Sequence, residues 1–464
     1  MTLIQHPNEP RSNEIRKVVD RVEPRSLRTR TRSLAVLARS EGIYHWTPEG
    51  RRLFDYTSGV LVANLGHNPK DWMKRFQQYM GWQPISPSND EYVSAVPVTA
   101  YNAVTPIEIE ATDRLVRLLQ SRPGGGRLEQ VLWAASGSEA IQKAIWAAMA
   151  RDRNRPIVLA TRYGFHGKKG WAAAVTGSEA DPERDPRVRF IGFPMHECRD
   201  VTLREAAFDP APYRRELSQL WNQYGPKIGT LITEPYLGGG GSYHPPIGYL
   251  QCLEQFCREN DIVFILDEVQ SNFGRTGNLF AFETYHIEPD IVVLGKGLGN
   301  GVPVAAAVGR RDIFDSLNYG EASDTWSANP LSSAAVLATL DCFASDPTIL
   351  QRTREASEVI ENGLLRLKQI PIVAYVRGEK GGMVWGIEMQ DHAGLSASEW
   401  AHRVVEICYR GHEQVGIHLL GPLANKVVRI APPLTISPTE AHQSVDLMLD
   451  LISNLVTKKE LALT

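Results

Sequence analysis

Cysteine is scarce in this chain, charge is nearly balanced, and no long apolar run occurs. The five cysteines, Cys198, Cys252, Cys257, Cys342 and Cys408, are odd in number, and none stands in a C-x-x-C pair. A chain of 464 residues can bury a large core without a disulfide framework, so the scarcity points to a reducing, cytoplasmic compartment. Against 50 basic residues stand 53 acidic ones, a net charge of −3. That balance gives no reason to expect nucleic acid or an anionic membrane as partner. No stretch approaches the roughly 20 apolar residues of a membrane span, and residues 1–20 lack the apolar core of a secretory signal. Internal repeats and low-complexity tracts are missing too. The length suggests two or three structural regions.

What is present concentrates in residues 261–310. Val263-Phe264-Ile265-Leu266 ends in Asp267, and Ile291-Val292-Val293-Leu294 ends in Gly295-Lys296-Gly297. Continuous β-branched and aromatic runs bounded by turn signals predict strands buried on both faces. Each strand therefore delivers an ionisable group to a sheet end, where ligands bind in open α/β sheets. Taken singly, Asp267 is a turn cap and Lys296 a surface lysine. Taken together they suit pyridoxal phosphate (PLP), which needs a lysine to form a Schiff base and a carboxylate to keep its pyridine nitrogen protonated. A nucleotide loop is the other reading of the glycine-flanked lysine. It fails because Gly297, not Ser or Thr, follows Lys296.

Residues 1–41 are polar, with Arg21, Arg25, Arg28, Arg30 and Arg32 partly offset by Glu14, Asp20 and Glu23. They read as a solvated, partly mobile arm. Alternation around Pro48-Glu49-Gly50 predicts a hairpin. After the turn Pro123-Gly124-Gly125-Gly126, a strand over Val131–Ala134 leads into Ala135-Ser136-Gly137-Ser138-Glu139. A helix then follows, with Ile141, Ala144, Ile145, Ala148 and Met149 on one stripe. Strand, small-residue turn and helix N-terminus make either an anion site or a plain Ser cap. The strand Ile157–Ala160 precedes Tyr163-Gly164-Phe165-His166-Gly167. Residues 171–227 carry few motifs beyond an acidic loop, Ala180-Asp181-Pro182-Glu183, and a helix near Tyr213–Tyr224. The strand Gly229–Thr233 ends in Glu234-Pro235-Tyr236-Leu237 and four glycines, and another strand is expected over Pro303–Val308.

From about residue 332 helices dominate, near 332–344, 348–368 and 397–411. Strands are expected at Ile372–Arg377, Met383–Met389 and Val427–Ile430. Ser437-Pro438-Thr439-Glu440 is a capping box that opens the last helix. Arg429 is unusual, because a guanidinium inside an apolar strand needs a partner. That partner is either a bound carboxylate or a buried Asp or Glu in a structural ion pair.

The ordered motifs resemble the class III (subgroup II) aminotransferases of the PLP-dependent fold type I superfamily. Asp267-Glu268-Val269-Gln270, Phe273-Gly274-Arg275-Thr276-Gly277 and Leu294-Gly295-Lys296-Gly297 match in order, with 296 − 267 = 29 residues between Asp and Lys. Ser136-Gly137-Ser138-Glu139-Ala140, Glu234-Pro235, Thr325-Trp326-Ser327-Ala328-Asn329-Pro330 and Arg429-Ile430-Ala431-Pro432-Pro433 extend the likeness, which runs from about Gly42 to the end.

The resemblance implies an α/β fold with two domains. One is a large domain over 71–335 with a mostly parallel seven-stranded sheet. The other is a small α+β domain built from 1–70 and 336–464. It implies a PLP-dependent aminotransferase that moves an amino group from an α- or ω-amine donor to a 2-oxo acid acceptor in a ping-pong cycle. A PLP-dependent isomerase, epimerase or decarboxylase would share every cofactor residue.

In the implied site, Lys296 and Asp267 are catalytic, and Gln270 bonds the phenolic oxygen of the cofactor. Phe165 and Val269 sandwich its ring. Ser136, Gly137, Ser138 and Thr325 hold its phosphate, Thr325 reaching across from the neighbouring subunit of a homodimer or tetramer with shared sites. His166 and Glu234 belong to the cofactor surroundings, although His166 fits a structural turn as well. Arg429 would clamp a substrate carboxylate by a bidentate fork. Val60 would line the substrate mouth, ordinary core being the other reading. One departure stands out. Many family members that use ω-amino acids carry a glutamate where this chain has Gly239.

Overall fold

The computed structural model describes residues 3–29, 31–83, 91–181, 184–412 and 414–461. Arg30 of the basic arm, and Pro182 and Glu183 of the acidic loop, lie outside the described residues. Near the N-terminus, short alternating runs form β1 (Arg39–Glu41), β2 (Tyr44–Trp46) and β3 (Arg52–Asp55). β2 and β3 make the expected hairpin, with His45 opposite Leu53. The middle of the chain supplies β4 (Gln130–Ala134), β5 (Ile157–Thr161), β6 (Val188–Ile191), β7 (Ile228–Thr233), β8 (Val263–Asp267), β9 (Ile291–Leu294) and β10 (Ala305–Gly309). β11 (Val373–Gly378), β12 (Trp385–Met389), β13 (Val415–His418) and β14 (Val427–Ile430) follow.

Strands β4 to β10 form one seven-stranded sheet in the order β4-β10-β9-β8-β7-β5-β6. Every pairing is parallel except those of β10, which runs antiparallel to both neighbours. Successive side chains of a strand point to opposite faces, and the buried clusters divide accordingly. Leu159, Leu231, Phe264, Leu266, Val292 and Leu294 enter one cluster. Val158, Ile232, Val263, Ile265, Ile291 and Val293 enter another. The helix Gly137–Arg151 covers the second face with Ile141, Ala144, Ile145 and Ala148. The helices Pro106–Gln120, Ile247–Glu259 and Pro330–Ser345 cover the first. Burial on both faces explains why these strands read as continuous apolar runs rather than alternating ones.

A third cluster joins the two ends of the chain. Ile43, Phe54 and Tyr56 pack with residues of β11, β12 and β14 and with the helices Ile349–Leu367, Ala397–Arg410 and Pro438–Leu461. β3 pairs in parallel with β13, so the N-terminal hairpin shares a sheet with a C-terminal strand. The last helix opens on the expected box. The Glu440 N–H donates to Ser437 Oγ at 3.2 Å, and the Ser437 N–H donates to Glu440 Oε2 at 2.9 Å. Among the described residues no helix is long and apolar enough to cross a membrane.

The N-terminal segment is largely exposed, as expected of a solvated arm, but part of it is fastened to the rest of the chain. Residues Pro10–Val22 form a helix, and Arg16 is wholly buried beneath it. Its guanidinium donates to Glu9 Oε2 at 2.7 Å, Asn13 Oδ1 at 2.7 Å, the Leu34 carbonyl at 3.0 Å and the Tyr409 hydroxyl at 2.9 Å. Glu9 also pairs with Arg51, and Arg32 pairs with Glu399. Of the arginines that suggested solvation, Arg32 clasps the C-terminal half of the chain, and Arg28 pairs locally with Glu23. Arg16→Ala leaves the Glu9 carboxylate short of a partner, and breaking a buried pair costs about 3–5 kcal/mol. The expected result is lower stability and faster hydrogen exchange over residues 10–22. A Lys17→Ala control should change neither, because the Lys17–Glu14 pair is exposed.

Candidate active site

The parallel strands end on one side of the sheet, and the predicted residues gather there. A cavity of about 380 Å³ is lined by Ser136, Gly137, Ser138, Phe165, His166, Glu234, Asp267, Val269, Gln270 and Lys296. Each comes from the segment that follows a strand. β4 leads to the serines, β5 to Phe165 and His166, β7 to Glu234, β8 to Asp267 through Gln270, and β9 to Lys296.

Asp267 is held from two sides. His166 Nδ1 lies 2.7 Å from its Oδ2, and the Val269 N–H donates to its Oδ1 at 3.0 Å. His166 Nε2 is buried without a hydrogen-bond partner. The imidazole therefore orients a carboxylate that the sequence left unsupported. Glu234 takes a different part. Its Oε2 accepts from the Phe165 N–H at 2.8 Å and its Oε1 from the Gly238 N–H at 3.2 Å, so it pins two loops together. Burial pushes its carboxyl up to about 7, with His166 opposing the shift and Asp267 adding to it.

Lys296 faces the cavity with its backbone in the left-handed region, φ 48°. Burial pushes its amine down to about 8, against the pull of Asp267, while the positive charge of Arg429 pushes the same way as burial. A larger share of neutral amine at ordinary pH makes it a better nucleophile and proton acceptor.

At the turn after β4, the Ser136 side chain caps the helix Gly137–Arg151 by accepting from the Glu139 N–H at 3.3 Å. The N–H groups of the first helical turn face the cavity with the positive end of the helix dipole. Gly137 suits a close approach here. A Cβ there would lie 3.1 Å from Val269 Cγ1 and crowd the cavity wall.

Three predicted residues lie off this wall. Thr325 sits in an exposed turn. Val60 is 43% exposed, so it is not core, and Val62 lines the cavity in its place. The reason lies in the backbone. Ser58, Gly59, Val60 and Leu61 all have positive φ, which coils the segment and turns Val60 outward. Arg429 is buried behind the Gly238 loop, 3% exposed. Its Nη2 donates to the Gly238 carbonyl at 3.2 Å, and Nε and Nη1 have no partner. Burial lowers its pKa, opposed by Tyr236 and Glu234. Among the described residues no carboxylate forms an ion pair with it, so the structural ion pair is not what holds this arginine.

The sequence reading missed Val62 and the wall from Gly301 to Val304. The latter follows the lysine turn directly, but its apolar pattern reads as the start of a strand.

The donor set suits PLP on the structure's own terms. Gln270 brings a side-chain amide to the cavity wall, its Oε1 buried without a partner, and an amide N–H is the group that donates to a phenolic oxygen. Phe165 and Val269 offer apolar walls, and the serine turn offers unpaired N–H groups. A mostly parallel sheet whose strand ends converge a lysine, a histidine-backed carboxylate and an anion turn defines a PLP-dependent transferase of fold type I. The chain belongs to the class III aminotransferases, whose family model matches residues 27–452, and it is accordingly a PLP-dependent aminotransferase.

The acetylornithine aminotransferase of Oceanobacillus iheyensis is 28% identical over 420 residues, covering 89% of this chain and 92% of that one. The mitochondrial ornithine aminotransferase of Arabidopsis thaliana is 26% identical over 428 residues, 90% of this chain and 81% of that one. Among solved structures, an (S)-enantioselective ω-transaminase from Thermomicrobium roseum superposes with a TM-score of 0.76 at 25% identity. It covers 96% of this chain and 95% of that one.

Proposed function

We propose that this aminotransferase passes an amino group from an α- or ω-amine donor to a 2-oxo acid, and that Arg429 receives the carboxylate of the acid. The observation that carries this reading is the guanidinium itself. It is fully buried, two of its nitrogens are unpaired, and its charge is felt at Lys296. A buried cation in that state is stabilised by an anionic ligand.

PLP, when bound, supplies an electron sink for charge that develops at the substrate carbon. The residues of the chain do the rest. Asp267, oriented by His166, holds the proton on the pyridine nitrogen. Lys296 Nζ carries the cofactor covalently at rest and takes the proton from the substrate Cα during turnover. Gln270 bonds the phenolic oxygen, and Phe165 and Val269 enclose the ring. Ser136, Gly137 and Ser138 hold the phosphate. Thr325, exposed in its own chain, reaches the neighbouring site of a homodimer, and Val60, also exposed, lies at the mouth. All five cysteines are buried free thiols, which supports a cytoplasmic setting.

The test is a panel of amines and amino acids offered to the holoenzyme, scored by conversion of the cofactor to its amine form and by release of the oxo product. The expected result is stoichiometric conversion with at least one donor, reversed by a 2-oxo acid. Racemisation or loss of carbon dioxide without an oxo product would overturn it.

A further inference from the structure

One face of the sheet β1-β2-β3-β13 carries three histidines and a carboxylate that the transamination site does not use. His45 on β2 pairs with Leu53, two residues before Asp55 on β3, and Asp55 pairs with His418 on β13. Residues two apart share a face, so His45, Asp55 and His418 lie side by side across three strands. His67, from the segment after β3, closes over them. Asp55 Oδ2 is 2.7 Å from His67 Nε2 and 3.5 Å from His45 Nε2.

The rest of the cluster is already fastened. Asp55 Oδ1 accepts from the Thr57 N–H at 2.8 Å, Thr57 Oγ1 at 2.7 Å and the Ser58 N–H at 3.1 Å. His45 Nδ1 lies 2.7 Å from Ser40 Oγ. These outer contacts orient the Asp55 carboxylate and the His45 ring, the arrangement in which metal ligands are held by a second layer of hydrogen bonds.

We propose that His45, Asp55 and His67 form a binding site for one divalent cation of the zinc class. The ligand atoms of the three all lie within 4.8 Å of one another. Around a tetrahedral zinc, with bonds of about 2.0–2.1 Å, ligand atoms sit about 3.3 Å apart. The His45–Asp55 separation is near that value already, and His67 must withdraw by about 0.6 Å. Two imidazoles and a carboxylate favour zinc over the harder cations that prefer oxygen. His67, with 19% of its side chain exposed against 3% for His45 and none for Asp55, marks the way in and the place for a water as fourth ligand. His418 completes the surroundings. Its ring centroid is 5.6 Å from that of His45, and its Nδ1 is buried without a partner.

The cation would tie β2 and β3 to the coiled segment that begins at Ser58. That segment carries Val62 on the cavity wall and Asn64, which bonds Arg275 at 2.9 Å. Cation binding here is independent of which amine the enzyme uses.

The experiment strips the PLP-loaded enzyme with a chelator, equilibrates it with zinc, removes loose metal on a desalting column and measures what remains. One cation per chain is expected to be retained. His45→Gln should lose it, and Ser40→Ala should weaken it about tenfold. His412→Gln, which alters an exposed His–Asp pair, should retain it in full. No retained zinc, or equal retention in His45→Gln, would overturn the proposal. If His45→Gln does not fold, cobalt in the unaltered enzyme decides. Strong visible bands of a four-coordinate ion with nitrogen ligands support the site, and the weak spectrum of a six-coordinate aquo ion overturns it.

Discussion

Lys296→Ala is expected to abolish turnover while leaving measurable, non-covalent PLP binding. The variant removes both the covalent tether and the group that moves the substrate proton. A positioned proton carrier contributes up to about 10⁴-fold, so the barrier should rise by about 5 kcal/mol or more. The serine turn, Asp267 with His166, and Gln270 remain in place, which is why the cofactor should still bind. Borohydride reduction of the unaltered enzyme, followed by peptide mapping, should place the cofactor on Lys296. A label on another lysine would sink the assignment.

The amine also predicts a pH profile. Its protonated form is unreactive, and burial has pushed it down to about 8. In the cofactor-free protein, labelling of Lys296 by an acylating reagent should rise with pH and level off above about 8. Exposed lysines should keep gaining until about 10.4.

Arg429→Ala should slow the 2-oxo acid half-reaction by at least about tenfold, or 1.4 kcal/mol of barrier, and change the reaction of a donor lacking an α-carboxylate much less. Gly239 sharpens the expectation. A Cβ at this position would lie 2.9 Å from Phe165 Cβ, so a side chain here requires Phe165 to shift, and the glycine itself offers no acid to neutralise the arginine. On the proposed reading, the guanidinium meets its carboxylate on the substrate rather than swinging to solvent or finding another acid. Single-turnover measurements of each half-reaction separate the outcomes. Equal losses in both, or none in either, would mean that Arg429 is structural.

Much of this site could be read before the fold was known, and the physical reason is local. β8 and β9 are unbroken apolar runs ending in Asp267 and Lys296, and a strand buried on both faces announces itself that way. What escaped was non-local or conformational. The reversal of β10 leaves no trace in its composition, since Ala305–Gly309 would suit either direction. His166 reaches Asp267 across 101 residues of sequence, a pairing no spacing rule contains. The exposure of Val60 escaped too, because successive left-handed residues coil its segment, a conformation that no sequence pattern announces. Arg16 escaped because a single buried arginine is invisible in an average over a polar segment.

The junction of the two chain ends has a consequence for how the protein is made. Arg16 meets Tyr409 across 393 residues, and β3 waits for β13 before its edge is paired. On the ribosome, the first strands emerge long before the segments that complete them. The core around Ile43, Phe54 and Tyr56 can close only when most of the chain has been synthesised. Through that interval an unpaired strand edge and its apolar side chains stay open to wrong partners. A stalled chain released before residue 415 should accordingly aggregate through its N-terminal hairpin, however well the seven-stranded sheet has formed.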